Sequence, residues 1–85
     1  MNVHSPSQLR SYIGASLVEA DGATLDEVLR GLDRRYPGVR FRIIDEQDRV
    51  REQIRIFVNG EQEFDITSPV GARDEIVIVG ALSGG

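Results

Sequence analysis

The sequence predicts an α+β fold in which one main helix lies across one face of a mixed sheet. Three stretches carry that expectation: the amphipathic "TLDEVLRGLDRRYPG", the alternating "QIRIFVNGEQEFDI" with Asn59-Gly60 at its middle, and the β-branched run "EIVIV" close to the carboxyl end. With two short apolar stretches ahead of the helix, the order is strand, strand, helix, irregular segment, strands, which suits helices packed on one side of a sheet.

The first strand is expected in "MNVHS", ended by Pro6, and the second in "SLVEAD", with Leu17 facing the core and Val18 as a second candidate. The helix signal is stronger. Thr24 stands three residues before Glu27, the spacing at which a hydroxyl and a carboxylate each satisfy a free backbone amide of the first turn. Leu25, Val28, Leu29, Leu32 and Tyr36 then recur at helical spacing and form one apolar stripe. Asp26 and Glu27 complement the positive end of the helix dipole, Arg34 and Arg35 the negative end, and Pro37-Gly38 stop it.

Residues 39–52 read as one further helical turn followed by a polar loop, with Val39, Phe41, Ile43 and Ile44 available for packing. Ile54, Ile56 and Val58 then alternate with Arg55 and Phe57, and Asn59-Gly60 supplies the pair of positive φ angles that a type I′ hairpin turn needs. Phe64 and Ile66 extend the alternation onto the return strand. Gly71 to Asp74 form the turn into Glu75–Val79, a continuous apolar run that fits a central strand buried on both faces.

Two strands, a helix, then two or three strands with the last one central is the β-grasp arrangement. Residues 1–80 are therefore expected to form a β-grasp domain, and residues 81–85, "ALSGG", a flexible tail projecting from its central strand.

Composition narrows the function classes. Eighty-five residues make a single domain, and 40% hydrophobic with 28% charged residues is globular. No apolar run approaches the roughly 18 residues of a membrane span. The amino end lacks a basic region followed by an apolar block, so a cytoplasmic protein beginning at its mature domain is expected. A net charge of −4 argues against nucleic acid, whose phosphates need a basic face, and favours partners with a basic groove. There is no cysteine, so any sulfur chemistry involves another atom of the chain, and all ten basic residues are arginine.

The ending supplies such an atom. Without a Cβ, Gly84 and Gly85 allow the main chain to enter a channel barely wider than itself and leave the last carbonyl open from both faces. The terminal carboxylate is ionised at neutral pH and resists nucleophiles until activated. Adenylation by ATP would activate it, after which a persulfide leads to a thiocarboxylate and a thiol to a thioester.

In "GATLDEVLRGLDRRYPGV", "IRIFVNGE", "VGARDEIVIV" and "GALSGG" the chain resembles the MoaD/ThiS-type sulfur carriers, prokaryotic relatives of ubiquitin, over most of its length. The resemblance implies that Gly85 is adenylated by an E1-like adenylyltransferase/sulfurtransferase using ATP, with no cofactor bound by the chain itself. The resulting thiocarboxylate gives its sulfur to a biosynthetic enzyme. It further implies Gly84 as the slim penultimate residue and Val79, Gly80, Ala81, Leu82 and Ser83 as the docking surface. Where the family often has proline and a second small residue before the glycines, this chain has Gly80 to Ser83, which bears on the identity of the partner. "SPSQLRSYIGAS" and "FVNGEQEF" are similar to carriers serving cysteine or secondary-metabolite synthesis and to the small subunit of molybdopterin synthase. A ubiquitin-like protein modifier and a structural β-grasp module with an incidental tail are the alternatives.

Other side chains are expected to be structural. A lone His4 without cysteine or a second histidine makes no metal site. Glu61, Glu63 and Asp65 read as the solvated face of a hairpin, and Asp45, Glu46, Asp48, Arg49, Arg51 and Glu52 as a solvated loop. With no nucleophile–base set and no phosphate-binding glycine loop, the chain is expected to be a carrier and a substrate of enzymes.

Overall fold

In the computed structural model, which describes residues 1–80, five strands form one sheet of order β2-β1-β5-β3-β4. They are β1 (Asn2–His4), β2 (Leu17–Glu19), β3 (Ile54–Val58), β4 (Glu61–Gln62) and β5 (Glu75–Gly80). β1 runs antiparallel to β2 and parallel to β5, and β5 antiparallel to β3, so the sheet is mixed and β5 is its centre. This is the β-grasp arrangement. The expected tail, residues 81–85, lies outside the described residues.

The main helix, α2 (Leu25–Arg35), starts as the sequence suggests: Thr24 Oγ1 accepts from the Glu27 amide at 3.2 Å. Glu27 in turn accepts from the Ala23 amide at 3.0 Å, one residue further back than the reciprocal bond of a standard capping box. Leu25, Val28, Leu29 and Leu32 are fully buried in one cluster with Val3, Ile56, Ile76 and Ile78, while Val58 packs at its edge, half-buried. α3 (Val39–Ile43) is the additional helical turn, and it buries Val39 and Ile43, with Ile44 following. Phe41 instead points outward, 55% exposed, with the Arg51 guanidinium 4.5 Å from its ring centre.

At the hairpin, Asn59 and Gly60 both take positive φ, 52° and 86°, as a type I′ turn demands. The return strand is shorter than expected. β4 ends at Gln62, and Phe64 is exposed outside any strand. Ile66 reaches the core through a loop turn. Asp65 Oδ1 accepts from the amide and hydroxyl of Thr67, and the Ile66 carbonyl accepts from the Asp26 amide at 2.8 Å, so this residue is docked on the start of α2.

Two further expectations are corrected. Leu17 pairs with His4 and faces outward, whereas Val18 pairs with Val3 and is buried. β5 is central but not buried on both faces: Ile76 and Ile78 are buried, Val77 is half-buried and Val79 exposed. The helices cover one face only, and valine is well suited to a half-open pleated surface. Between β1 and β2 the chain also forms a 3₁₀ turn (Ser7–Leu9) continuing into α1 (Arg10–Ile13), which buries Leu9 and Ile13. Each piece is too short to leave a periodic signal.

Candidate functional site

The central strand that leads to the carboxyl end also crosses the uncovered sheet face, and the candidate site is built from these two features. Side chains on a strand alternate between faces, so with Ile76 and Ile78 inward, Val77 and Val79 must point outward. The pairing register sets their neighbours. Leu17, His4, Val77, Phe57 and Gln62 follow one another across β2, β1, β5, β3 and β4, and Val79 stands opposite Arg55 in the next row. The face thus has an apolar centre of Val77, Phe57 and Val79, with Leu17 at one edge.

Polar groups frame that centre. His4 Nε2 lies 3.3 Å from Glu75 Oε1 on the exposed surface. Arg55 donates to the carbonyls of Glu52 and Ile54, at 2.6 and 3.1 Å, which folds its guanidinium back on the chain. At the start of β5, Asn59 both accepts from the Glu75 amide at 2.9 Å and donates to Asp74 at 3.0 Å. Asp74 also accepts from the Gly71 amide at 2.8 Å, and these two bonds, the backbone one foremost, hold its carboxyl below the usual carboxylate range. The hairpin turn and the turn into β5 are therefore stitched together, fixing the start of the central strand.

The far end of β5 is held by different groups. Gly80 pairs with Ile54, and the Gln8 side-chain amide donates to the Gly80 carbonyl at 3.3 Å. Of the predicted docking residues, Val79 is on the open face and Gly80 at the strand's end. Ala81, Leu82, Ser83, Gly84 and Gly85 lie outside the described residues.

Leu17, Phe57 and Val77 were not singled out in sequence as surface residues, although strand parity offers the signal. Once Ile56 and Ile78 are assigned to the core, their neighbours Phe57 and Val77 must face the other way. The acidic segments turn their carboxylates onto their own backbone. Glu63 accepts from the Asp65 amide, and Asp45 Oδ1 accepts from the Gln47 and Arg49 amides at 2.8 and 3.0 Å. Among the described residues no three His, Cys, Asp or Glu side chains cluster to hold a metal ion, and no helix is long and apolar enough to cross a membrane. The arrangement offers a surface for docking and a strand that leads toward the chain end.

A family model, the ThiS family, matches residues 3–85. No curated protein sequence matches the chain. Among solved structures, the chain is similar to one from the Amycolatopsis orientalis BexX/CysO complex, with 30% identity, a TM-score of 0.89, and coverage of 99% of this chain and 98% of that one. It is also similar to Mycobacterium tuberculosis CysO, with 26% identity, a TM-score of 0.88, and coverage of 95% and 98%. The small archaeal modifier protein 1 from Methanosarcina acetivorans follows at 26% identity and a TM-score of 0.80, covering 99% and 94%. A match that runs from β1 to Gly85, on a mixed sheet with β5 at its centre, places the chain in the ThiS family of ubiquitin-like sulfur carriers.

Proposed function

We propose that this carrier bears its sulfur as a thiocarboxylate at Gly85. The supporting observation is the position of β5: the central strand runs to Gly80, five residues before Gly85, so the core that anchors the strand also anchors the root of the reactive end. A carboxylate oxygen of Gly85 attacks the α-phosphorus of ATP in an E1-like adenylyltransferase and pyrophosphate leaves. A persulfide then attacks the carbonyl and AMP leaves. A thiol cleaves the resulting acyl disulfide, departing as a mixed disulfide, and the thiocarboxylate remains for a sulfur-accepting biosynthetic enzyme. The chain's own part is to dock and to present its end. The outward row of Val77, Phe57 and Val79 supplies apolar contact, and Gly84 and Gly85 fit a channel closed to larger residues.

Similarity to the two CysO structures favours service to cysteine or secondary-metabolite synthesis over the small subunit of molybdopterin synthase. That one of them is a complex of BexX with CysO supports a protein partner for a chain of this shape. A cytoplasmic location follows if the activating enzyme and its ATP are there. The modifier reading draws support from the likeness to small archaeal modifier protein 1 and requires the same activated glycine with an amine as acceptor.

Incubation with ATP, the source organism's E1-like adenylyltransferase and a persulfide donor separates these readings by intact mass. The carrier reading expects monomer with one sulfur in place of one oxygen, and loss of that product on deletion of Gly85. Higher-mass amide conjugates in place of the sulfur product would support the modifier, and sulfur uptake by the deletion variant would exclude Gly85 as the site.

A further inference from the structure

β1 accompanies β5 only as far as the pair His4–Val77, after which the chain turns away at Pro6. Gln8, on the 3₁₀ turn that follows, sends its side chain back to β5 and donates Nε2–H to the Gly80 carbonyl. The bond fills a gap in the ladder. Ile54, paired with Gly80 on the other side, donates its own amide to Arg51 at 2.9 Å and so offers that carbonyl no donor. The turn carrying Gln8 is firmly based, because the residues following it toward α1 include buried Leu9 and Ile13.

The fit between the two residues is close. A Cβ at position 80 would lie 2.5–2.6 Å from all three terminal atoms of the Gln8 amide, yet Gly80 has no left-handed φ. Glycine there is therefore what leaves room for the Gln8 amide, and its backbone angle does not call for it. The obstructing atoms are the end of a flexible side chain, so a larger residue at 80 displaces the amide and leaves the fold intact.

We propose that Gln8 is a positioning residue for the C-terminal segment. It holds β5 in register to Gly80 and so fixes the point from which residues 81–85 extend into a partner's channel. This rests on the carrier reading. Five residues span at most roughly 17 Å when extended, so the root's position decides whether Gly85 arrives at the adenylating centre. Releasing Gly80 adds backbone freedom that the partner must remove on binding, which weakens productive engagement without touching the chemistry.

Gln8→Ala, Gly80→Ala and the double variant test this with full-length chain, through ATP-dependent adenylation kinetics with the E1-like adenylyltransferase and amide exchange at Gly80. Each single change is expected to raise KM about fivefold to tenfold, with the effect on KM rather than kcat, the scale of one freed backbone residue. The double variant should be no worse than either single, because both remove one contact. Exchange at the backbone amide of residue 80 should quicken in all three while Ile78 stays protected. A KM for Gln8→Ala within about twofold of wild type, effects that add in the double variant, or unchanged exchange at Gly80 overturns the proposal. If wild type is not adenylated at all, the carrier reading fails, and with it the positioning role, whatever exchange at Gly80 shows.

Discussion

The two faces of the sheet are built from alternate residues of the same strands, yet they meet opposite fates. On one, Val3, Ile56, Ile76 and Ile78 are sealed in the core with the leucines of α2. On the other, Leu17, Phe57, Val77 and Val79 are half-buried or exposed. At their centres both faces are apolar, although His4, Arg55 and Gln62 border only the open one. What separates the two centres is whether a second layer covers them, which a strand's own sequence does not encode. Leaving apolar side chains uncovered gains the domain little stability, while under the proposed function it supplies contact area for a partner beside the strand that leads to the chain end.

The largest effect should come from the sealed face. Leu29→Ala removes three buried heavy atoms of packing beneath the sheet and should lower unfolding free energy by about 3 kcal/mol in denaturant titration. Val79→Ala on the open face should cost less than about 1 kcal/mol. Equal losses at the two positions would mean the open face is covered in solution, and the comparison would collapse.

A charge sharpens the contrast. Val79→Asp places a carboxylate where a docked partner would strip its water, so affinity for the activating enzyme should fall about tenfold or more by calorimetry. The melting temperature should drop only a few degrees, since Val79 is already 39% exposed. Unaltered affinity would remove this face from the docking surface.

Acid should act at the edges of both faces. Asp26, between α2 and α3, is pushed up by burial, but hydrogen bonds from Arg30 and Arg40, at 2.8 and 2.7 Å, outweigh this and leave it below its ordinary value. Asp45, Asp65 and Asp74 are lowered chiefly by the Arg49 amide, the Thr67 hydroxyl and the Gly71 amide respectively. Folded-state values below the unfolded one mean stability that is complete above the ordinary 3.8 and lost as pH falls through the depressed values. Melting temperature should be level from about pH 7 to 5 and decline below about pH 4, less steeply in Asp26→Asn. Equal stability at pH 2.5 and 6 would contradict these bonds.

How far the sequence could be read depended on whether a signal was local. α2 declared itself through five apolar positions at helical spacing and through Thr24-Glu27, and the hairpin through Asn59-Gly60, since caps and turns are set by neighbouring residues. The centrality of β5 was legible from its β-branched run. That its Val77 and Val79 side stays uncovered was not, because five consecutive residues of which four are apolar carry no alternation. Leu17 and Val18 posed the same ambiguity in adjacent positions. Phe64 was placed on a strand by period alone, but the ladder ends at Gln62, where Glu63 captures the Asp65 amide and Asp65 in turn captures Thr67. The contact between Gln8 and Gly80 joins residues 72 positions apart and leaves no mark in either segment.

That ambiguity at Leu17 and Val18 yields the smallest prediction. Leu17 is 48% exposed opposite His4, so Leu17→Ser exchanges apolar surface that water already reaches for a hydroxyl that water solvates. Strand propensity falls slightly and no cavity forms, so the change in unfolding free energy should stay within about 0.5 kcal/mol. The same substitution at Val18 would bury an unpartnered hydroxyl against Val3 and leave a void, at several times the cost. Paired denaturant titrations decide it. A larger loss at Leu17 than at Val18 would mean that β2 sits one residue out of the register with Asn2, Val3 and His4 seen here, since a slip of one position exchanges every side chain between the two faces.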